Sequence, residues 1–76
     1  MTKIFSERLT EALKNCKLTQ KEIARQLNIS ESNLTNWKNG ANLPSVDILY
    51  KLCLLLKESS DYLLGLEDET GAKIYE

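Results

Sequence analysis

The chain has 76 residues, of which 42% are hydrophobic and 28% are charged, and its formal net charge at pH 7 is −1. This length and composition are typical of one small globular domain close to the lower size limit for a self-supporting core. The absence of histidine excludes a Ser–His or Cys–His nucleophile pair, and the longest apolar run, at residues 52–56, is far too short to span a bilayer.

An apolar stripe near the N-terminus predicts a first helix that runs from about Thr2 or Ser6 to Asn15. We expect this helix to support the core behind the helices that follow. Cys16 continues its stripe and Cys53 continues the stripe of a later helix, so both are interpreted as small buried hydrophobes. A disulfide is disfavoured because we expect a reducing cytosol, and a metal site is disfavoured because the chain has no histidine and no Cys-x-x-Cys motif. The stripe of the first helix consists of Phe5, Leu9, Ala12, Leu13 and Cys16.

A capping box marks the start of the second helix. Thr19 and Glu22 have the spacing at which a threonine hydroxyl and a glutamate side chain satisfy free N–H groups, so a helix should begin at Thr19. Asn28 follows the last apolar residue of this helix, and asparagine tolerates the left-handed conformation that ends a helix. The apolar stripe of this helix is Ile23, Ala24 and Leu27.

A third short helix has both a start and a stop signal. Ser30 is a favourable N-cap residue and Gly40 a favourable residue for the left-handed turn after the helix. Leu34 and Trp37 share one face, and Ile29 with Leu34 has the spacing of a hydrophobic staple. The opposite face carries short polar side chains, namely Ser32, Thr35, Asn36 and Asn39, with Glu31 and Asn33 on its flanks.

This polar face is the strongest functional signal in the chain. An ordinary solvated face would favour long, helix-forming side chains, whereas short amides and hydroxyls can reach base edges in a DNA major groove. The alternative is a surface helix of poor propensity. Two helices joined by a short turn, with the second polar on its outer side, are the helix-turn-helix arrangement.

The rest of the chain is predicted to form two more helices and a tail. Pro44 forces an extended loop before it, Ser45 caps a fourth helix, and Ser59 caps a short fifth helix that ends at Gly65. Residues 66–76 are acidic and lack an apolar stripe, so they are predicted to form a flexible C-terminal tail. The inward residues of the fourth helix are predicted to be Val46, Leu49, Tyr50, Cys53 and Leu56.

The chain resembles the Cro/C1-type (XRE-like) helix-turn-helix family of phage and bacterial repressors. The resemblance covers roughly residues 6 to 65. It rests on LTQKEIA at 18–24, IS at 29–30, NWKNG at 36–40, LPS at 43–45 and DYLLG at 61–65. It implies an all-α domain of five helices over residues 1–65, the lambda-repressor-like DNA-binding fold. The helix-turn-helix segment would be residues 20–39, with the third helix in the major groove.

The resemblance also implies which residues contact DNA. Gln20, at the start of the second helix, matches a family glutamine that grips backbone phosphate, and Ser30 and Asn39 match further phosphate contacts. Ser30 is also open to being only a cap, and Asn39 to bonding only its own loop. Lys21 is added as a cation near the phosphates, with Lys17 and Arg25 as general electrostatic contributors.

Base reading is assigned to the outer face of the third helix. Glu31, Ser32 and Asn36 match the positions that family members point at base edges. Asn36 leads, because asparagine can pair with adenine through two hydrogen bonds. Glu31 has two open interpretations, acceptance from cytosine or repulsion of phosphate. Ser32 and Asn33 are interpreted as less specific readers, and Thr35 as a residue that can offer its methyl group to thymine.

Two departures from the family pattern change the expectations. Many relatives pair an Arg of the first helix with a Glu of the third, where this chain has Leu13 and Lys38; we expect Leu13 to pack on the Lys38 stem. The loop at residues 40–45 carries no cation, which weakens binding by one copy. Residues 1–40 nevertheless hold seven Lys and Arg against four Glu, a net +3, while residues 41–76 are net −4.

These features predict a sequence-specific double-stranded DNA-binding transcriptional regulator, a phage or bacterial repressor, with no cofactor, no metal and no enzymatic activity. The N-terminus lacks a secretion signal, so we expect a cytoplasmic protein. We expect a homodimer on an operator, paired through exposed apolar residues near the C-terminus. The alternative is a protein-interaction module on the same fold, such as an antitoxin-like or antirepressor-binding partner. The candidate dimer residues are Tyr62, Leu66, Ile74 and Tyr75.

Overall fold

The computed structural model describes residues 1–75 and contains five helices joined by short loops. They are α1 (Thr2–Asn15), α2 (Gln20–Leu27), α3 (Glu31–Lys38), α4 (Val46–Leu56) and α5 (Ser60–Leu64). The predicted all-helical, five-helix architecture is confirmed. In the part of the chain that is described, the only β pairing is an isolated bridge between Glu67 and Lys73, and no helix there is long and apolar enough to cross a membrane.

Every helix contributes to one hydrophobic core. α1 packs against α3 and α5, and α2 packs against α3 and α4, so α1 and α2 hold the other helices together. Trp37, 6% exposed, closes the core on the α3 side. The fully buried large side chains are Phe5, Leu9, Ile23, Leu34, Leu52 and Leu63.

The helix boundaries follow the capping residues in the sequence. The hydroxyls of Thr19, Ser45 and Ser59 each accept a hydrogen bond from the backbone N–H three residues later, at 3.1, 3.2 and 3.1 Å. Asn28 ends α2 in the left-handed conformation, with φ 58°, as its side chain predicts. Lys57 ends α4 in the same left-handed conformation, with φ 56°, although lysine is not a residue type that predicts it.

The inward face predicted for α4 was partly wrong. Val46 and Tyr50 are 83% and 64% exposed, whereas Leu52, absent from the predicted set, is completely buried. Nine of the eleven residues of α4 are apolar or aromatic, so periodicity alone does not define one inward face. α2 and α5 decide the orientation instead, since α4 packs against both.

The acidic segment at residues 66–75 folds back on the domain rather than extending from it as a tail. Arg8 of α1 donates hydrogen bonds of 2.6 Å to the carbonyls of Tyr62 and Glu67, and its guanidinium lies 4.4 Å from the centroid of the Tyr62 ring. Lys73 pairs with Asp61, at 2.9 Å, and with Glu67. A domain boundary after residue 65 stays a prediction, and Glu76 lies outside the described residues.

Candidate nucleic-acid interface

The turn between α2 and α3 brings the two helices close together. Asn28 reverses the chain, and the backbone N–H of Ile29 then donates to the carbonyl of Ala24 at 3.0 Å. Ala24 is 2% exposed, and its small side chain allows the two short helices to approach. The predicted helix, turn and helix arrangement is therefore present in residues 20–38.

The apolar side of α3 is fixed by two buried anchors. Leu34 is completely buried and Trp37 is 6% exposed, as their spacing predicts. The opposite side is open: Glu31, Ser32, Thr35 and Asn39 are exposed, while Asn33 and Asn36 are half-buried. α3 therefore presents a polar surface whose position is fixed by the core. Asn36 is less exposed than its predicted outward position suggested.

Ser30 occupies the N-cap position of α3, but its side chain makes no capping hydrogen bond. The backbone carbonyl of Ser30 already accepts from the N–H of Asn33 at 3.1 Å, and the Ser30 hydroxyl lies 2.8 Å from that of Ser32. The interpretation of Ser30 as a side-chain cap was therefore wrong. A candidate phosphate contact and a candidate base reader share one hydrogen bond at this end of the helix.

Gln20 and Lys38 meet where α2 begins and α3 ends. Both side chains are half-buried, and the Nζ of Lys38 donates a hydrogen bond to the Oε1 of Gln20. This bond uses the oxygen of the amide, so the two N–H donors on Nε2 are left for another acceptor. Leu13 lines the same cleft as Gln20 and Lys38.

The sequence interpretation missed the bond between Gln20 and Lys38. It expected Leu13 to pack on the Lys38 stem but gave Lys38 no polar partner. Eighteen residues separate Gln20 and Lys38, so no local pattern links them. The only available signal was the expected departure from the family pattern at Lys38, which left its ammonium group without an assigned partner.

The cations near this surface are not equivalent. Arg25 binds the carboxylate of Glu22 through both Nε and Nη2, which together with a bond from Gln26 lowers the pKa of Glu22 to about 2. Arg25 is thus partly neutralised. Lys21, by contrast, is exposed and takes part in no ion pair found within residues 1–75.

The loop that follows α3 supplies backbone but no charge. Gly40 has φ +77°, a conformation that other residues rarely adopt, and the N–H of Ala41 donates to the carbonyl of Asn36 at 2.9 Å. This bond closes the C-terminal end of α3 against the loop. No cluster of His, Cys, Asp and Glu that could hold a metal ion occurs in the described residues.

Comparison with known proteins gives the same assignment as the geometry. A family model described as a helix-turn-helix domain matches residues 6–69. The HTH-type transcriptional regulator ImmR of Bacillus subtilis (strain 168) is 45% identical over 69 residues, which cover 91% of this chain and 54% of ImmR.

Two further relatives come from the same organism. The uncharacterized HTH-type transcriptional regulator YobD is 31% identical over 71 residues, 93% of this chain and 63% of YobD. A second uncharacterized HTH-type regulator, YqaE, is 33% identical over 73 residues, 96% of this chain and 61% of YqaE. The chain therefore spans between about half and just under two thirds of the length of these relatives.

Proposed function

The chain belongs to the helix-turn-helix domain family, and we propose that it acts as a sequence-specific double-stranded DNA-binding transcriptional regulator, a repressor of phage or bacterial origin. It would occupy an operator and block polymerase, in the cytoplasm and without a cofactor. The family is one of DNA-binding regulators rather than of enzymes.

One observation carries the proposal, namely the polar outer surface of α3 held in place by two buried anchors. Leu34 and Trp37 fix the rotation of the helix about its axis, so its short polar side chains are presented without further rearrangement. Asn36 is the leading base reader, through paired hydrogen bonds to adenine. The supporting readers are Glu31, Ser32, Asn33 and Thr35.

Phosphate contacts would orient α3 on the duplex. The Nε2 donors of Gln20 are directed to a phosphate oxygen, while Lys38 holds the amide oxygen and adds a positive charge beside it. Lys21, Ser30 and Asn39 complete the phosphate set at the edges of the same surface. Lys38 joins the proposed set because of its hydrogen bond to Gln20, and the sequence alone did not assign it a phosphate contact.

The proposed operator contains two half-sites read by two copies of the chain. A single copy brings few free cations to the DNA and none from the loop at residues 40–45, so one half-site should bind weakly and with a shallow salt dependence. Two copies related by a two-fold axis add their base contacts on a palindrome, with half-site centres about 34 Å apart.

Selection of bound sequences from random duplex DNA tests the proposal. We expect the full chain to enrich a palindromic site that still binds when unrelated duplex is present in excess. The alternative is a protein-interaction module on the same fold. Failure to enrich any sequence, together with tight binding of another protein by the folded chain, would establish that alternative instead.

A further inference from the structure

α4 carries an apolar stripe that no part of residues 1–75 covers. Val46, Tyr50 and Leu54 are 83%, 64% and 62% exposed, and they are spaced four residues apart, so they line up along one side of the helix. Buried or half-buried apolar residues such as Leu52 already form the packed side of α4. These three side chains therefore do not belong to the hydrophobic core of a single copy.

The two edges of the stripe differ in character. Asp47 and Lys51 form an exposed ion pair of 3.4 Å along one edge. The other edge descends into a groove between α4 and α5, which is lined by apolar residues such as Cys53 and Leu64 and, after the end of α4, by Glu58. A partner for this face thus needs an apolar ridge with a pair of opposite charges along one edge.

A second copy of the chain meets both requirements if the two α4 helices pack antiparallel about a two-fold axis at Tyr50. Val46 and Leu54 lie about 6 Å before and after Tyr50 along the helix axis. The two-fold axis therefore places Val46 opposite the partner's Leu54, and Leu54 opposite the partner's Val46. The stripe is complementary to itself in this orientation.

The charges agree with the same arrangement. A two-fold axis of this kind brings the charged edge of one helix beside the charged edge of the other. Asp47 lies about 4.5 Å before Tyr50 and Lys51 about 1.5 Å after it, so Asp47 falls about 3 Å along the axis from the partner's Lys51. Unlike charges are therefore close along the axis twice. The two Lys51 residues also lie about 3 Å apart along the axis, whereas the two Asp47 residues are about 9 Å apart, so attraction outnumbers repulsion.

We propose that two copies of the chain associate through the outer face of α4, antiparallel about Tyr50, with Asp47 beside the partner's Lys51. The proposal names the contact between copies for the dimer of the proposed function. It differs from the C-terminal residues expected from the sequence, of which Tyr62 is half-buried beneath Arg8 while Leu66, Ile74 and Tyr75 are exposed. The surface that three side chains of an 11-residue helix can bury is well below the roughly 800 Å² per partner of a standard interface. We therefore expect the free dimer to be weak and DNA to strengthen it.

Mixing of two charge variants tests the proposal. The Asp47→Lys chain carries two positive charges on this edge, and the Lys51→Asp chain carries two negative ones. Sedimentation equilibrium without DNA should show that each variant alone self-associates at least about tenfold more weakly than the natural chain. An equimolar mixture should associate at least as strongly as the natural chain.

This design separates contacts between copies from contacts within one. Both variants lose the Asp47–Lys51 pair inside each helix, and mixing cannot restore that pair. Recovery in the mixture therefore comes only from a contact between copies. A mixture that associates no better than its components, or a natural chain that is monomeric at about 1 mM, overturns the proposal.

A second pair of variants distinguishes this face from the C-terminal residues. Tyr50→Glu should abolish self-association and lower affinity for a two-half-site duplex, while leaving binding to a single half-site unchanged. Ile74→Glu alters an equally exposed apolar residue, 67% exposed, outside the proposed face and should change neither. The reverse pattern overturns the proposal for α4 and leaves the DNA-binding function intact. Failure of the natural chain to bind either duplex would instead contradict the DNA-binding function itself.

Discussion

Lys38, the last residue of α3, donates a hydrogen bond from its Nζ to the Oε1 of Gln20, the first residue of α2. The bond joins the helix proposed to read bases to the side chain proposed to grip phosphate. It also places the lysine charge where the amide would approach the DNA backbone. The position of the phosphate anchor is thus tied to the position of α3.

The Lys38→Met variant should bind all duplex sequences more weakly and lower the slope of log affinity against log salt by about one, because one phosphate-proximal charge is lost. Lys3→Met, which removes an exposed lysine from α1, is the control for net charge. Combined with Gln20→Ala, Lys38→Met should cost less than the sum of the two single losses. Strict additivity in this mutant cycle would show that the two side chains act independently on DNA.

The Trp37→Ala variant should unfold the domain rather than merely weaken DNA binding. Truncation of a buried aromatic side chain costs about 3–5 kcal/mol, which is a large share of the total stability of so small a domain. Thermal unfolding followed by far-UV circular dichroism measures the effect. Thr35→Ala, on the exposed side of the same helix, is the control and should melt close to the natural chain. An unchanged melting temperature for Trp37→Ala would remove Trp37 from the core.

The Asn36→Ala variant should lower specific affinity by about 1–3 kcal/mol and relax preference at one base position. The change removes a side chain proposed to form two hydrogen bonds with one adenine. Asn39→Ala, proposed to lose only a phosphate contact, should weaken binding to all sequences alike. Binding measured to every single-base variant of the selected site distinguishes the two effects. Unaltered preference at every position would eliminate Asn36 as a base reader.

Acid should loosen the turn at residues 66–75 before it unfolds the helices. Hydrogen bonds from Lys73 hold the pKa values of Asp61 and Glu67 below their ordinary range. Because these pKa values are lowered by folding, the stabilisation is complete above the ordinary carboxyl pKa of about 4 and is lost as pH falls through the lowered values.

The amide proton of Ile74, which donates to the carbonyl of Leu66 at 2.9 Å, provides the measurement. Its exchange protection should fall in this acidic range while that of the core helices persists. The Lys73→Met variant should show a smaller acid-dependent step, since it removes the cation common to both carboxylates. Asp68 keeps its hydrogen bonds from Thr70 and Ala72, which also lower its pKa, so part of the step should remain. A step of the same size in that variant would mean that Lys73 does not cause it.

Local signals in the sequence were sufficient for the starts of α2, α4 and α5 and for the end of α2. Thr19, Ser45 and Ser59 act within three residues of their own position, and Asn28 sets only its own backbone angle, so their roles could be read before any packing was known. The apolar side of α3 was equally predictable, because this short helix has only Leu34 and Trp37 to bury.

Features that depend on distant residues were not predictable. The rotation of α4 is decided by α2 and α5, since its own sequence is apolar on nearly every side. The bond between Lys38 and Gln20 spans 18 residues, and Arg8 reaches the carbonyl of Glu67 across 59. The acidic segment folds back through such polar contacts, which leave no apolar stripe as a sequence signal.

The outer face of α3 is proposed to recognise a particular DNA sequence. The most direct measurement compares the affinity of the full chain for its selected site with that for a scrambled duplex of the same length and composition, over a series of salt concentrations. We expect the selected site to bind at least about 10³-fold more tightly, with the ratio retained as salt rises. A ratio close to one at every salt concentration would contradict the claim.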